Sequence, residues 1–339
     1  MRRRDFLSLF AATSATGLLA ACSGGGAGGG DATSAPPPAL IPPDQLAGVK
    51  LRVGDQKGAS QSLIRSAGLD DFPYQVEWAT FTSGPPLLEA LSADAIDIGG
   101  TGNTPPLFAA AAKADFKIVA ASQGNVASDA VVVLPNSPLQ SREQLRGKKI
   151  AVAKGSSAHG QILQTLAAVG LTPDDVQLVF LQPADALGAF KQGAVDAWAI
   201  WDPYFAQIQL ESGARVIADG RSGGANGYTF QVASTAALAD ARRNSAIADY
   251  LTRLARANRF SDANREVRAQ AWSQDTGLPI EVTRKATELG PDLPVPLDET
   301  VIRSEQELAD AFVTAEEIPR RFTFADFVDT RFATQLATA

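Results

Sequence analysis

The 339-residue chain sets 30 Lys and Arg against 37 Asp and Glu, a net charge of −7, and contains one Cys and one His. So acidic a chain has no electrostatic footprint for nucleic acid. One thiol cannot form an internal disulfide, and one His with scattered carboxylates offers no metal set, so neither a metal nor another cofactor is expected.

Arg3-Arg4-Asp5-Phe6-Leu7 has twin-arginine spacing, and Leu7 to Ala21 is an apolar run too short and too rich in small residues for a stable membrane span. It ends in Leu19-Ala20-Ala21-Cys22, a lipobox. Residues 1–21 are read as a twin-arginine lipoprotein signal peptide, with Cys22 acylated after cleavage. Losing three Arg and one Asp moves the net charge to about −9. Residues 22–46 are Gly-rich, then Pro-rich, and cannot bury a core. They read as a flexible tether, of roughly 25 Å root-mean-square span over Ser23 to Pro43. The expected location is the outer side of the cytoplasmic membrane or the periplasm, with the membrane as a partner through lipid.

From Lys50 onward the chain repeats itself. Lys50–Ser60 reads KLRVGDQKGAS and Lys148–Ser157 reads KKIAVAKGSS: an apolar strand, then Lys-Gly and a hydroxyl-bearing helix start. Each copy is answered about forty residues later by a second strand, AIDIGGTGNTPPLF from Ala95 and AVDAWAIWDPYF from Ala194. Two strand–helix–strand–turn units imply two similar α/β lobes, and ligands of open α/β sheets sit at the strand ends. The extended runs Ala130–Pro135 and Tyr228–Ala233 bracket the second copy and are read as crossovers between lobes. Lobe 1 is therefore expected at 47–134 and 232–339, and lobe 2 at 135–231. The last hundred residues read as helices around 245–258, 267–272, 281–289 and 304–316.

The segments QKG at 56–58, SGPPLLEAL at 83–91, AIDIGGTGNTPPLFA at 95–109, RGKKIAVAKGSSAHGQIL at 146–163 and PADALGAFKQGAVDAWAIWDPYFA at 183–206 resemble the periplasmic aliphatic sulfonate-binding proteins, receptors of ABC importers related to the taurine and nitrate receptors. The resemblance covers most of the chain after Leu51. It implies a two-lobed type II periplasmic-binding fold, mixed sheets flanked by helices, that closes on a small ligand and docks as a monomer on an ABC permease with its ATPase. The chain departs from its relatives at Gly100-Thr101-Gly102-Asn103, where STGD is common, and at Thr82-Ser83-Gly84-Pro85, where PAGP is common.

A sulfonate stays ionised at any physiological pH and needs many donors. Helix starts supply unpaired N–H groups and a positive dipole end, and Ser or Thr hydroxyls add adjustable donors. Candidate ligand-binding residues at such turns are Gln56, Ser83, Gly84, Thr101, Gly102, Asn103, Ser156 and Ser157. Ser156-Ser157, with no proline following, is the most open cradle. Trp201 is expected as an apolar wall for the ligand's tail, with Trp198 in the core. Asp202 is placed to orient a donor or meet an amine, and Ser128 and Tyr228 lie at the crossovers. Lys57 and Lys154 are read as electrostatic bias. No catalytic residue is expected, because His159 lies too close along one helix start to serve Ser156 or Ser157 as a general base.

Overall fold

The computed structural model describes residues 36–223 and 225–339; the export segment, Cys22 and the Gly-rich part of the tether lie outside them. The first sheet opens with β1 (Lys50–Gln56), α1 (Ser60–Ser66), β2 (Gln75–Phe81), α2 (Gly84–Ser92), β3 (Ile98–Gly102), α3 (Thr104–Ala111) and β4 (Lys117–Gln123). The second sheet follows as β5 (Asp129–Val133), β6 (Lys149–Val152), α4 (Ser157–Ala167), β7 (Gln177–Phe180), α5 (Pro183–Lys191), β8 (Ala197–Trp201), α6 (Tyr204–Ser212) and β9 (Arg215–Asp219). A short helix α7 (Gly220–Gly223) leads back to β10 (Tyr228–Ala233) and to α8 (Thr235–Ala239), α9 (Ala241–Ala263), α10 (Arg265–Thr276) and α11 (Ile280–Thr287). An edge strand β11 (Leu293–Val295), then α12 (Glu299–Thr314) and α13 (Ala333–Ala337), complete the described chain.

The strand orders are β11-β4-β10-β3-β1-β2 and β7-β6-β8-β5-β9. Overlaying the copies matches β1 with β6, β2 with β7 and β3 with β8, each a parallel set, followed in each sheet by one antiparallel strand, β10 or β5. The repeated Asp has the same task in both copies. Asp97 Oδ2 accepts the Arg52 N–H at 2.8 Å, and Asp196 Oδ2 accepts the Lys149 N–H at 2.8 Å, pinning the start of the parallel neighbour. Asp97 is also fully buried and takes Arg52 and Arg243 as ion-pair partners at 2.6 and 3.2 Å.

Two expected boundaries move. Ala130–Pro135 is not a crossover: Asp129–Val133 is an internal strand of the second sheet, paired with β8 and β9. Tyr228–Ala233 is likewise an internal strand of the first sheet. The crossings are the short segments 124–128 and, among the described residues, 220–223 with 225–227, joined where the Gly124 N–H donates to Gly227 O at 2.9 Å. A continuous apolar run is what a strand covered on both faces requires, so that pattern marks the strands and leaves the polar connections as crossings. The tether also ends earlier than 46. The Ile41 N–H donates to Ser245 Oγ at 2.9 Å, and Leu46 is fully buried beside Leu51, Ile247 and Leu251.

Each sheet is packed by its own helices. Leu87, Leu88 and Leu91 of α2 join Ile96, Phe230 and Phe312 in one core cluster; burying such side chains contributes roughly 1.5–3 kcal/mol each. Trp198 is 1% exposed, packed on Phe190 and Tyr204 in the second lobe's core.

Candidate functional site

Strand ends of both sheets and the C-terminal helices enclose a cleft of about 520 Å³. Of the residues singled out in the sequence, Gln56, Gly84, Thr101, Gly102, Asn103, Ser128, Ser156, Ser157, Trp201, Asp202 and Tyr228 line it; Ser83 does not. The Ser83 hydroxyl is fully buried and donates to Gln182 Oε1 at 3.0 Å, with Thr82 Oγ1 donating to the same oxygen at 3.1 Å. Ser83 therefore joins the two walls, because Gln182 at the start of α5 reaches it before any ligand could.

The helix starts that ring the cleft differ in one decisive respect. Asp55, at the end of β1, accepts the N–H groups of Ser60 and Gln61, both at 2.9 Å, so the start of α1 is already occupied by a carboxylate. Asp202 does the same for α6, accepting the Ala206 N–H at 3.0 Å. In the second copy the position of Asp55 is held by Val152, and no carboxylate takes the first N–H groups of α4, Asp129 reaching only the Ser157 hydroxyl at 3.2 Å. Ser156 caps α4 with its own hydroxyl, accepting the His159 N–H at 3.3 Å while donating to Ala153 O at 2.7 Å. Its hydroxyl hydrogen is thus engaged, while Ser156 itself still lines the cleft. The N–H groups of Ser157 and Ala158 find no acceptor among the described residues, nor does that of Gly84 at the start of α2.

Beside Gly84 lies Thr101, 4% exposed, whose buried hydroxyl has no partner among the described residues. A buried hydroxyl left unpaired costs about 1–3 kcal/mol. Close approach explains the glycines around it. A Cβ on Gly84 would lie 2.2 Å from Thr101 Oγ1, and one on Gly102 would lie 3.0 Å from Ser157 Cβ. Small residues here let β3 and the starts of α2 and α4 converge on one spot.

Asn103 borders this spot but is spoken for: its Nδ2 donates to Asn226 Oδ1 at 2.9 Å, and its Oδ1 accepts the Thr104 hydroxyl at 3.0 Å. Asn226, in the returning crossing, donates in turn to Glu305 Oε1 of α12 at 2.7 Å. Gln56 lines the cleft with only a long 3.4 Å contact to Gly100 O. Trp201 sits directly opposite Asp129 in the antiparallel register of β8 and β5, so the two project from the same face of the sheet. Lys57 stands exposed at the cleft, and Lys154 lies over the Phe180 ring at 5.0 Å.

His159 packs among Phe108, Phe180 and Phe312 with centroids 5.4 to 6.0 Å away. Its Nδ1 accepts the Gly155 N–H, and burial lowers its pKa to about 4. The ring is a neutral wedge between α3, α4 and α12, and neither serine hydroxyl is bonded to it.

Among the cleft residues that sequence reasoning missed are Asp129, Gln231, Arg268, Trp272 and Asp292. Asp129 and Asp292 are partly open to it, and desolvation raises both carboxyls, Asp129 to about 7. Asp202 is likewise raised by burial to about 7. Gln231 abuts Gly100, and Arg268 lies over the Trp272 ring at 4.6 Å while donating to Ser62 Oγ and Gly58 O. Burial lowers the Arg268 pKa to about 10. Arg268, Trp272 and Asp292 follow the last repeat unit and carry no internal echo that could flag them. Asp129 had a signal: it is the one charged residue opening the run DAVVVL.

Residues 85–249 match the family described as NMT1/THI5 like. A protein of Escherichia coli (strain K12), named for aliphatic sulfonates binding, is 36% identical over 277 residues, 80% of this chain and 86% of that one. Among solved structures, the alkanesulfonate-binding protein SsuA from Xanthomonas axonopodis pv. citri, bound to MOPS, superposes with a TM-score of 0.75 at 33% identity. That match covers 84% of this chain and 99% of the other. The periplasmic aliphatic sulphonate binding protein SsuA from Escherichia coli gives 0.73 at 34% identity, over 83% and 92% of the two chains.

Proposed function

This chain belongs to the family of aliphatic sulfonate-binding proteins, and on that footing we propose that it is the receptor delivering a sulfonate to an ABC import permease. The observation that carries this reading is the start of α4, whose Ser157 and Ala158 N–H groups find no acceptor among the described residues, at a cleft that Ser157, Gly84 and Thr101 line. A tetrahedral anion seated there would take the N–H groups of Gly84, Ser157 and Ala158 and the Thr101 hydroxyl, with the dipole of α4 behind it. Gln56 adds an amide at the edge, and Trp201 and Tyr228 supply the wall for the carbon chain. Nitrate or bicarbonate would leave that wall without an occupant.

Binding closes the lobes about the two crossings, and the closed form is the one the permease accepts. The finer statements about place rest on sequence: a twin-arginine signal, removal of residues 1–21, a lipid on Cys22 and a tether that holds a monomeric receptor at the membrane surface. Mass spectrometry of the protein extracted from membranes should find a chain that begins at Cys22 and carries acyl groups; an unmodified Cys22 there would overturn the anchor.

Trp201 and Trp272 both line the cleft, so intrinsic fluorescence reports its occupation. Titration with alkanesulfonates, taurine, nitrate and sulfate should give a saturable change with sulfonates. Thr101→Val should weaken sulfonate binding by about tenfold or more, without lowering the melting temperature of the empty protein, because the methyl replaces a hydroxyl that has no partner. Saturation by nitrate or sulfate alone would overturn the sulfonate reading.

A further inference from the structure

Away from the crossings the lobes meet mostly by nonpolar packing, His159 of α4 against Phe312 of α12 and Ala206 of α6 beside Val282 and Ala286 of α11. Two hydrogen bonds stand out against that background. Thr82 and Ser83 of the first lobe both donate to Gln182 Oε1 of the second, at 3.1 and 3.0 Å. An amide oxygen has two lone pairs and accepts both hydroxyls at once. Among the described residues no other hydrogen bond runs between 129–219 and the first lobe, the crossings aside.

Their place in the two sheets gives these bonds leverage. Thr82 and Ser83 directly follow β2, Gln182 comes just after β7, and these matching strands are the outer edges of their sheets. The crossings run instead from β4 to β5 and from β9 to β10. Three strand spacings separate β2 from β10, and three separate β7 from β5, roughly 14 Å in each sheet. A rotation of about 15° about the crossings carries a point at that distance by roughly 4 Å, which parts both bonds. They are made only when the cleft is shut. Ser83 and Gln182 are also the N-cap residues of α2 and α5, equivalent helices of the two copies, and neither side chain caps its own helix. Each is therefore free for the other. Gly84, which follows Ser83, lines the cleft, whereas Ser83 and Gln182 do not.

We infer that Gln182 is a positioning residue, a latch that with Thr82 and Ser83 holds the lobes closed without touching the ligand. It sets how far the empty receptor is shut before a sulfonate arrives. This rests on the receptor reading above and adds to it a residue that governs affinity from outside the cleft. Closure made partly in advance lowers the cost left to the ligand, and release must wait for the latch to part.

Small-angle X-ray scattering of the ligand-free full chain, wild type against Gln182→Ala, reads the empty state. Gln182 is exposed, so its truncation leaves the cores intact. The variant should have the larger radius of gyration when empty, and saturating ethanesulfonate should bring both proteins to the same dimensions. By stopped-flow fluorescence Gln182→Ala should release ethanesulfonate and octanesulfonate about tenfold faster and bind both about tenfold more weakly, by the same factor for each. Ser83→Ala, which removes one of the two bonds and no helix cap, should fall between. A side chain that only supported the fold would lower the melting temperature and leave the empty dimensions and release rates alone. Equal dimensions of the empty proteins, or equal release rates, overturn the latch. A loss confined to one of the two ligands overturns it as well, by placing Gln182 on the ligand. If no sulfonate binds the wild type, the receptor reading fails, and the scattering comparison alone decides the latch.

Discussion

Asp97→Ala should destabilise the protein by about 3 kcal/mol, read as a lower urea midpoint and melting temperature, whereas Asp196→Ala should cost only about 1 kcal/mol. The two residues occupy the same place in the repeat and make the same 2.8 Å contact to a backbone N–H. They differ in surroundings. Asp97 is fully buried and is the shared anion for Arg52, which donates through Nε and Nη2, and for Arg243. Its removal strips two guanidinium groups, each about 30% exposed, of their shared buried acceptor, leaving them Asp94 and Ala236 O, and leaves an N–H inside the fold unpaired. Asp196 is exposed, and water replaces most of what its loss removes. Equal effects of the two substitutions would show that the backbone contact, and not the buried ion cluster, dominates. Asp97→Asn should fall between, since an amide oxygen still accepts the Arg52 N–H.

Ser156→Asp should abolish sulfonate binding in practical terms, a loss on the order of 100-fold, at some cost in stability because Ser156 is 2% exposed and a carboxylate cannot donate to Ala153 O. Asp caps helices as well as Ser does and suits the positive end of the helix, so α4 should still form. The added charge, however, sits where the ligand's charge must sit. At about 4 Å and an effective dielectric near 20 the repulsion approaches 4 kcal/mol before salt screening, more than enough for that loss. Ser156→Ala makes the useful contrast. It removes a cap worth about 1 kcal/mol of stability. Because the Ser156 hydroxyl already serves Ala153 and His159, that variant should change affinity far less than the acid does. Full sulfonate affinity in Ser156→Asp, measured by the same fluorescence titration, would move the anion away from α4.

The contrast between Asp55 and Val152 shows how far the sequence could be read. The doubled strand–helix–strand pattern disclosed two sheets of matching order, and its turns pointed to all but one of the proposed contacts lining the cleft. Whether a helix start is open, however, is decided by the residue at the end of the preceding strand. A reading centred on Ser and Gly at the turn passes over it. Ser83 failed for a different reason: its partner, Gln182, belongs to the other copy, and a bond across the cleft leaves no local trace. Arg268, Trp272 and Asp292 come from helices and loops beyond the repeat, brought to the cleft by packing of α10 against α1 and α11. Asp129 came to the cleft only when the antiparallel register set it opposite Trp201 at the end of β8.

The placement of β5 and β10 bears on the order in which the molecule can assemble. All five strands of the second sheet lie between residues 129 and 219, one uninterrupted stretch of chain. The first sheet lacks its middle strand until β10 arrives at Tyr228–Ala233, and β4 touches β3 only through it. As the polypeptide leaves the ribosome, the earliest-made segment therefore waits with β4 unattached while the later-made sheet closes, and the N-terminal half gains its full hydrogen-bond ladder only afterwards.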